Sequence, residues 1–314
     1  GLVAVLGNYI GTDASGSVAL GNSGGGVAVR SGALNNTIAG NVISANGFAS
    51  GSAPASPGVL LSDVGTSANL IAANLIGVSA DGASALGNAG DGVEMISGAS
   101  GNTVGGTVAG AGNTIAGNLA AGVRFDVDAE LIAGNWIGLP GASLGNAFGV
   151  LALGGANATI GGAGTIGADS PARNVISSNV GSGIVVSSVS GLTIAANFIG
   201  TDPSGLSAEP NGNNGIAGVD SGSFLVVDNL ISGNRFNGVT LDGAGTSGVT
   251  LARNYIGLNA TGTRALGNGL SGVLIQTGAS AITIGTDSAT FIVPPDPSRN
   301  VISGNLGDGV RIEG

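Results

Sequence analysis

The sequence predicts an all-β chain wound as a parallel β-solenoid of about ten coils. Three observations predict it. Asn recurs in the frame Asn-x-Ile at Asn8, Asn41, Asn74, Asn113, Asn135, Asn174, Asn197, Asn229, Asn254 and Asn300. A Gly followed by Val or Ile recurs in step with it, from Gly26 and Gly58 to Gly272 and Gly309. Each interval holds three short apolar runs of alternating pattern separated by Gly, Asn, Ser and Asp, which is how short strands between tight corners read.

The runs are plainest in the shortest unit, as Ile216–Val219, Phe224–Val227 and Leu230–Ile231. No stretch carries apolar residues at helical spacing over ten or more positions. Two kinds of unit alternate. The first reads like Gly26–Pro57, with Asn-Asn-Thr-Ile and then Asn-Val-Ile-Ser-x-Asn. The second reads like Gly238–Ser271, with Asn-Tyr-Ile-Gly and a tail ending Ala-Leu-Gly-Asn. In the second kind the extra length follows the Asn, as in Gly200–Asn211. In the first it mostly precedes it, as in Gly285–Arg299. Two different corners therefore carry loops.

The ten Asn of the Asn-x-Ile frame are expected to form an internal ladder. Equivalent residues of stacked coils lie about 4.8 Å apart. An amide with two donors and an acceptor can then bond the one above and the one below. Asn also tolerates the left-handed backbone of a sharp corner.

The segments Asn36–Ser44, Asn102–Thr107 and Asn8–Asp13, with Ala19-Leu20-Gly21-Asn22, resemble the repeats of large bacterial right-handed parallel β-helix proteins. The resemblance spans essentially the whole chain. It implies a single-stranded right-handed β-helix and an extracellular or cell-surface, bacterial location. It says little about function, because fold does not fix function.

Residues 1–314 read as one continuous solenoid. Val3–Asn8 aligns with Val249–Asn254, so the chain enters mid-coil, and Gly309–Gly314 opens a coil and stops. The expectation is a piece of a longer solenoid, or ends that stack on another copy. The hydrophobic share of 43% and its periodicity exclude a disordered chain. Cationic residues number 8, all Arg, against 18 acidic, for a net charge of −10, which excludes nucleic acid. Cys is absent, which excludes disulfides and thiol chemistry. No apolar run is long enough to span a membrane.

His is also absent, which removes Ser-His-Asp, Cys-His and zinc constellations. β-Helix polysaccharide lyases, glycoside hydrolases and uronate epimerases place charged catalytic residues on one outward strand face. On the strand that follows each Gly-Val marker, the outward positions hold one charge cluster: Glu94, Arg124 and Asp126, with Asp128 nearby. A glycosidase needs two carboxylates across a cleft. A cross-strand ion pair between Glu94 and Arg124, worth under about 1 kcal/mol, accounts for the cluster better. On that reading no residue is catalytic and the chain is not an enzyme.

Corners bearing Asp13, Asp81, Asp202 and Asp287 could hold Ca²⁺, but each offers about one carboxylate, and Leu139-Pro140 and Asn259 take comparable places. Turn formation accounts for them, and no metal or other cofactor is expected. Outward Leu151, Leu153, Val185, Ala217 and Val219 fall in adjacent columns on three coils and form a candidate association patch, unless the loop Gly161–Arg173 folds over it.

The functional expectation is a structural spacer or fibre segment of a surface protein, self-associating end to end or side by side. The alternative is a carbohydrate-binding or adhesive module. A polysaccharide lyase or hydrolase comes third.

Overall fold

The computed structural model describes residues 2–48, 55–140, 144–166, 169–285 and 299–314. They form a right-handed parallel β-helix of ten coils with three strands per coil and, among the described residues, no helix. Three sheets of ten parallel strands run its length. The first sheet runs from Ala4–Leu6 to Thr283–Ile284, the second from Tyr9–Ile10 to Val301–Ile302, and the third from Val27–Val29 to Val310–Ile312.

The second sheet is two residues wide, and its inward position is the Ile of the Asn-x-Ile frame. Ile43, Ile76, Ile115, Ile137, Ile176, Ile199, Ile231 and Ile256 all have zero exposure. Burying each such side chain is worth about 1.5–3 kcal/mol. The third sheet adds two inward residues per strand, such as Val93 with Met95 and Val123 with Phe125. At Gly122 the chain must turn into this sheet beneath the next coil. A Cβ there would lie 2.6 Å from Ile137 Cγ2 and 2.9 Å from Gly149 O, so only Gly fits.

Asparagine ladders line the corners. Between the first and second sheets, Asn8 to Asn300 connect coil to coil through Nδ2–H···Oδ1 bonds of 2.9–3.1 Å. Asn113 shows the pattern. Its backbone N–H and Nδ2 both donate to Asn135 Oδ1, at 3.0 and 2.9 Å, and Nδ2 also reaches Ile71 O at 2.8 Å.

A second ladder, which the Asn-x-Ile frame does not reveal, lies between the second and third sheets. It runs Asn22, Asn46, Asn88, Asn118, Asn146, Asn179, Asn211, Asn234, Asn268 and Asn305. In first-kind units its member is the final Asn of Ser-x-Asn or its equivalent. In most second-kind units it is the Asn of Ala-Leu-Gly-Asn, reached after a hairpin excursion. Antiparallel bridges such as Thr12 to Ala19 and Thr201 to Ala208 close those excursions.

Candidate functional site

The third sheet carries the charge cluster on its outer face. Gly92 and Gly122 set the phase of two neighbouring strands, Val93–Ile96 and Ala121–Phe125. Val93, Met95, Val123 and Phe125 point inward at zero exposure, so Glu94 and Arg124 point outward. The parallel register pairs Arg124 with Glu94 on one side and with Leu151 on the other. Arg124 Nη1 makes an ion pair with Glu94, and Nη2 lies 3.8 Å from Asp126 Oδ2. Leu60, in register before Glu94, and Leu151, after Arg124, close the column on both sides. Asp128 does not join the cluster. Its Oδ1 accepts from Ala156 N at 2.6 Å, around the next corner.

A further buried carboxyl, Asp91, was missed from the sequence, and it couples to Glu94 and Arg124 through charge. It lies just before Gly92 and is 7% exposed, and its Oδ1 accepts from Ala121 N at 2.7 Å. Burial pushes its carboxyl up to about 6 against the pull of that hydrogen bond. The Glu94 carboxylate adds to the rise and the Arg124 guanidinium opposes it. Its signal was in the column of residues preceding the Gly-Val marker. Asn214, Asn237 and Ser271 hold that place in later coils. There Asn237 N donates to Asn214 Oδ1 at 3.1 Å, and Ser271 N to Asn237 Oδ1 at 2.9 Å. An amide oxygen thus does the structural work of this position without a titrating proton, and coil three uses a carboxyl.

The apolar residues further along this face are in register: Leu151 with Val185, Val185 with Ala217, and Ala217 with Thr240. Ala217 is buried, at 8% exposed, while Val219 reaches 39%. Among its described residues, the loop 161–173 is directed to a different face. Its Ile166 packs with Phe198 and Leu230 on the second sheet.

The corner carboxylates close turns. Asp13 accepts from Ser15 Oγ at 2.8 Å and from Ser17 N and Val18 N at 3.1 Å, bonds that hold its carboxyl below the usual range. Asp202 accepts from Ser204 Oγ, Leu206 N and Ser207 N. Asn259 does the same with an amide oxygen, accepting from Thr263 N and Arg264 N. Asp287 lies outside the described residues. Among the described residues no three His, Cys, Asp or Glu gather as a metal group.

No family model and no curated protein sequence matches the chain. Solved structures do. The periplasmic alginate epimerase AlgG is 12% identical, with a TM-score of 0.43 over 88% of this chain and 50% of that one. The A-module of mannuronan C-5 epimerase AlgE4 from Azotobacter vinelandii is 11% identical, with a TM-score of 0.46 over 99% of this chain and 78% of that one. The enzymatically active domain of bacteriophage CBA120 tailspike protein 2 is 13% identical, with a TM-score of 0.43 over 99% and 47%. The chain thus spans about half the length of the first and third of these. At such identities the likeness is one of fold.

The proteins that share the coil are named as enzymes, and this corrects two expectations. The chain is no longer read as a structural spacer or fibre segment, nor as a chain that is not an enzyme. The physical reason for the miss is local. Glu94 and Arg124 alone look like a cross-strand ion pair, and Asp91 sits at a corner position that strand alternation does not show.

Proposed function

We propose that the chain is a polysaccharide-active enzyme that works outside the bacterial cytoplasm, hydrolysing a glycan at Asp91, Glu94, Arg124 and Asp126. The observation that carries this is the buried carboxyl of Asp91 in a place where an amide would serve the fold, together with a guanidinium shared by two further carboxylates whose field it feels. Glycoside hydrolysis asks for one carboxyl that holds a proton and another that stays ionised. Asp91, raised to about 6, is the proton donor. It gives its proton to the glycosidic oxygen as the C1–O bond breaks, and water then adds at C1 and returns a proton to the Asp91 carboxylate. Glu94 and Asp126, paired with Arg124, face the positive charge that develops on the sugar ring. Arg124 orients the two carboxylates. Two carboxylates share the Arg124 guanidinium, Asp91 adds a third acidic group, and the chain carries a net charge of −10, so a neutral glycan fits better than an acidic one.

The test measures new reducing ends from neutral and acidic polysaccharides. Asp91→Asn keeps an acceptor for Ala121 N–H, so the coil should stay folded while the rate falls by about 10² or more. The parent rate should also decline as pH rises through about 6, because Asp91 then loses the proton it must donate. An Asp91→Asn protein that cleaves at the parent rate would sink the assignment. So would product bearing a new C=C bond in place of an added water, which marks elimination.

A further inference from the structure

A cleft of about 510 Å³ opens on the outer face of the second sheet, where Tyr255 stands five coils along the axis from Arg124. Its size lies within the range of about 300–1,000 Å³ typical of ligand sites. Two hairpin excursions wall it, over 201–209 and 257–266. They are tied together by Ala260 N donating to Gly205 O at 2.9 Å and by Arg264 Nη2 donating to Leu206 O. Phe198 and Tyr255 stand in one outward column, separated by Leu230. Phe198 is covered by the Arg173 guanidinium, 3.9 Å from its ring centre, and Arg173 Nη2 donates to Thr165 O at 3.1 Å. Tyr255 is half-buried and lines the cleft, with Ser204, Thr261 and Asp169 at its polar side.

We propose that this cleft is a substrate-anchoring subsite that seats sugar residues of a neutral polysaccharide against Tyr255, away from the reacting bond. Its walls are fixed by hydrogen bonds between loops, so little ordering is needed on binding. An aromatic face carries the negative side of a quadrupole, and the C–H face of a pyranose is the apolar, weakly positive surface that complements it. The Ser204 and Thr261 hydroxyls offer donors and acceptors to sugar hydroxyls, and the Asp169 carboxylate only accepts. Arg173 is engaged by Phe198 and the Thr165 carbonyl, which leaves the cleft poorly suited to an anion. The ligand class rests on the polysaccharide reading above. The cleft itself does not.

The experiment titrates the full chain with maltohexaose, cellohexaose and laminarihexaose, and with oligogalacturonate as the acidic comparison, by calorimetry. A neutral hexasaccharide should bind. Tyr255→Ala should weaken it about tenfold, the loss of one stacking face. Tyr255→Phe should retain binding, and Asp91→Asn should leave it unchanged. On polymer, Tyr255→Ala should raise KM and leave kcat alone. The subsite is overturned if Tyr255→Ala, folded by its melting curve, binds and cleaves like the parent. It is equally overturned if only the acidic oligosaccharide binds, or if none binds at millimolar concentration. Binding that Tyr255→Ala weakens, without product release by the parent, would leave the subsite standing and fail the catalytic reading instead.

Discussion

Two corners of the same coil begin with the same residue and end differently. At the corner between the first and second sheets, Asn follows Asn from Asn8 to Asn300 without interruption. At the corner that leads into the first sheet, Asn36, Asn69 and Asn102 form the same kind of ladder, which then stops. Asn102 N donates to Glu130 Oε2 at 2.9 Å, and the next coils carry Ala158, Leu192, Phe224 and Val249, all buried. An unbroken ladder is self-satisfying, because each amide supplies what the next requires. A ladder that meets an apolar stack needs a last member that accepts and passes no donor on. A carboxylate does that, but at 1% exposure its charge is costly. Burial accordingly pushes Glu130 up to about 8, against the hydrogen bonds from Asn102. Titratable groups with altered chemistry therefore collect where the repeat changes, and Asp91 is the second instance.

The largest effect expected from this contrast lies in the unbroken ladder. Asn174→Ala removes the acceptor of Asn135 N and Nδ2 and the donor to Ile132 O and Asn197 Oδ1. Stranded buried groups cost about 1–3 kcal/mol each and add less than fully, so a loss of about 4 kcal/mol is expected by denaturant unfolding. A variant that unfolds with the parent would show that the ladder contributes nothing to stability.

The interrupted ladder should report through pH. Glu130 titrates near 4.5 when unfolded and near 8 when folded, so between those values the native state holds a proton that the unfolded state has released. Stability then falls as pH rises from about 4.5 to 8 and levels off above, by up to about 1.4 kcal/mol per unit and about 5 kcal/mol in all. Glu130→Gln cannot ionise and should flatten that slope. A parent whose stability is constant over this window would mean that Glu130 is not held protonated.

Much of this architecture was legible because it repeats. The Asn-x-Ile frame locates one ladder and the buried isoleucines together, since a two-residue strand leaves one inward place. The Gly-Val frame likewise gives the outward column of Glu94, Arg124 and Leu151, which the parallel register aligns. The second ladder was harder to see. Its members follow the first ladder by five residues in Asn41–Asn46 and by fourteen in Asn8–Asn22, because the hairpin excursion intervenes. Asp91 and Glu130 were hidden for a different reason. Each stands at a corner in a column filled mostly by amides, small polar or apolar residues; Glu130 is alone in its column and Asp91 is matched only by Asp308, so neither has a period. What makes them unusual is burial, which depends on the coils above and below.

The smallest effect tests whether position in the ladder, and not the residue alone, sets the energy. Asn8 is exposed, donates to Asn41 Oδ1 at 3.0 Å and to Leu6 O at 3.0 Å, and stands at the outer end of the row. Asn174 is fully buried and has partners on both sides. In Asn8→Ala the Asn41 Oδ1 keeps the backbone N–H of residue 8, at 2.8 Å, and exposed Leu6 O can turn to water, so only a net exposed hydrogen bond is lost, about 0.5 kcal/mol. The two substitutions are chemically identical, and their ratio isolates burial. Comparable losses at both ends of the comparison would mean that the cost lies in the left-handed or tight corner geometry that Asn favours. A large loss at Asn174 with almost none at Asn8 assigns it to the stranded partners.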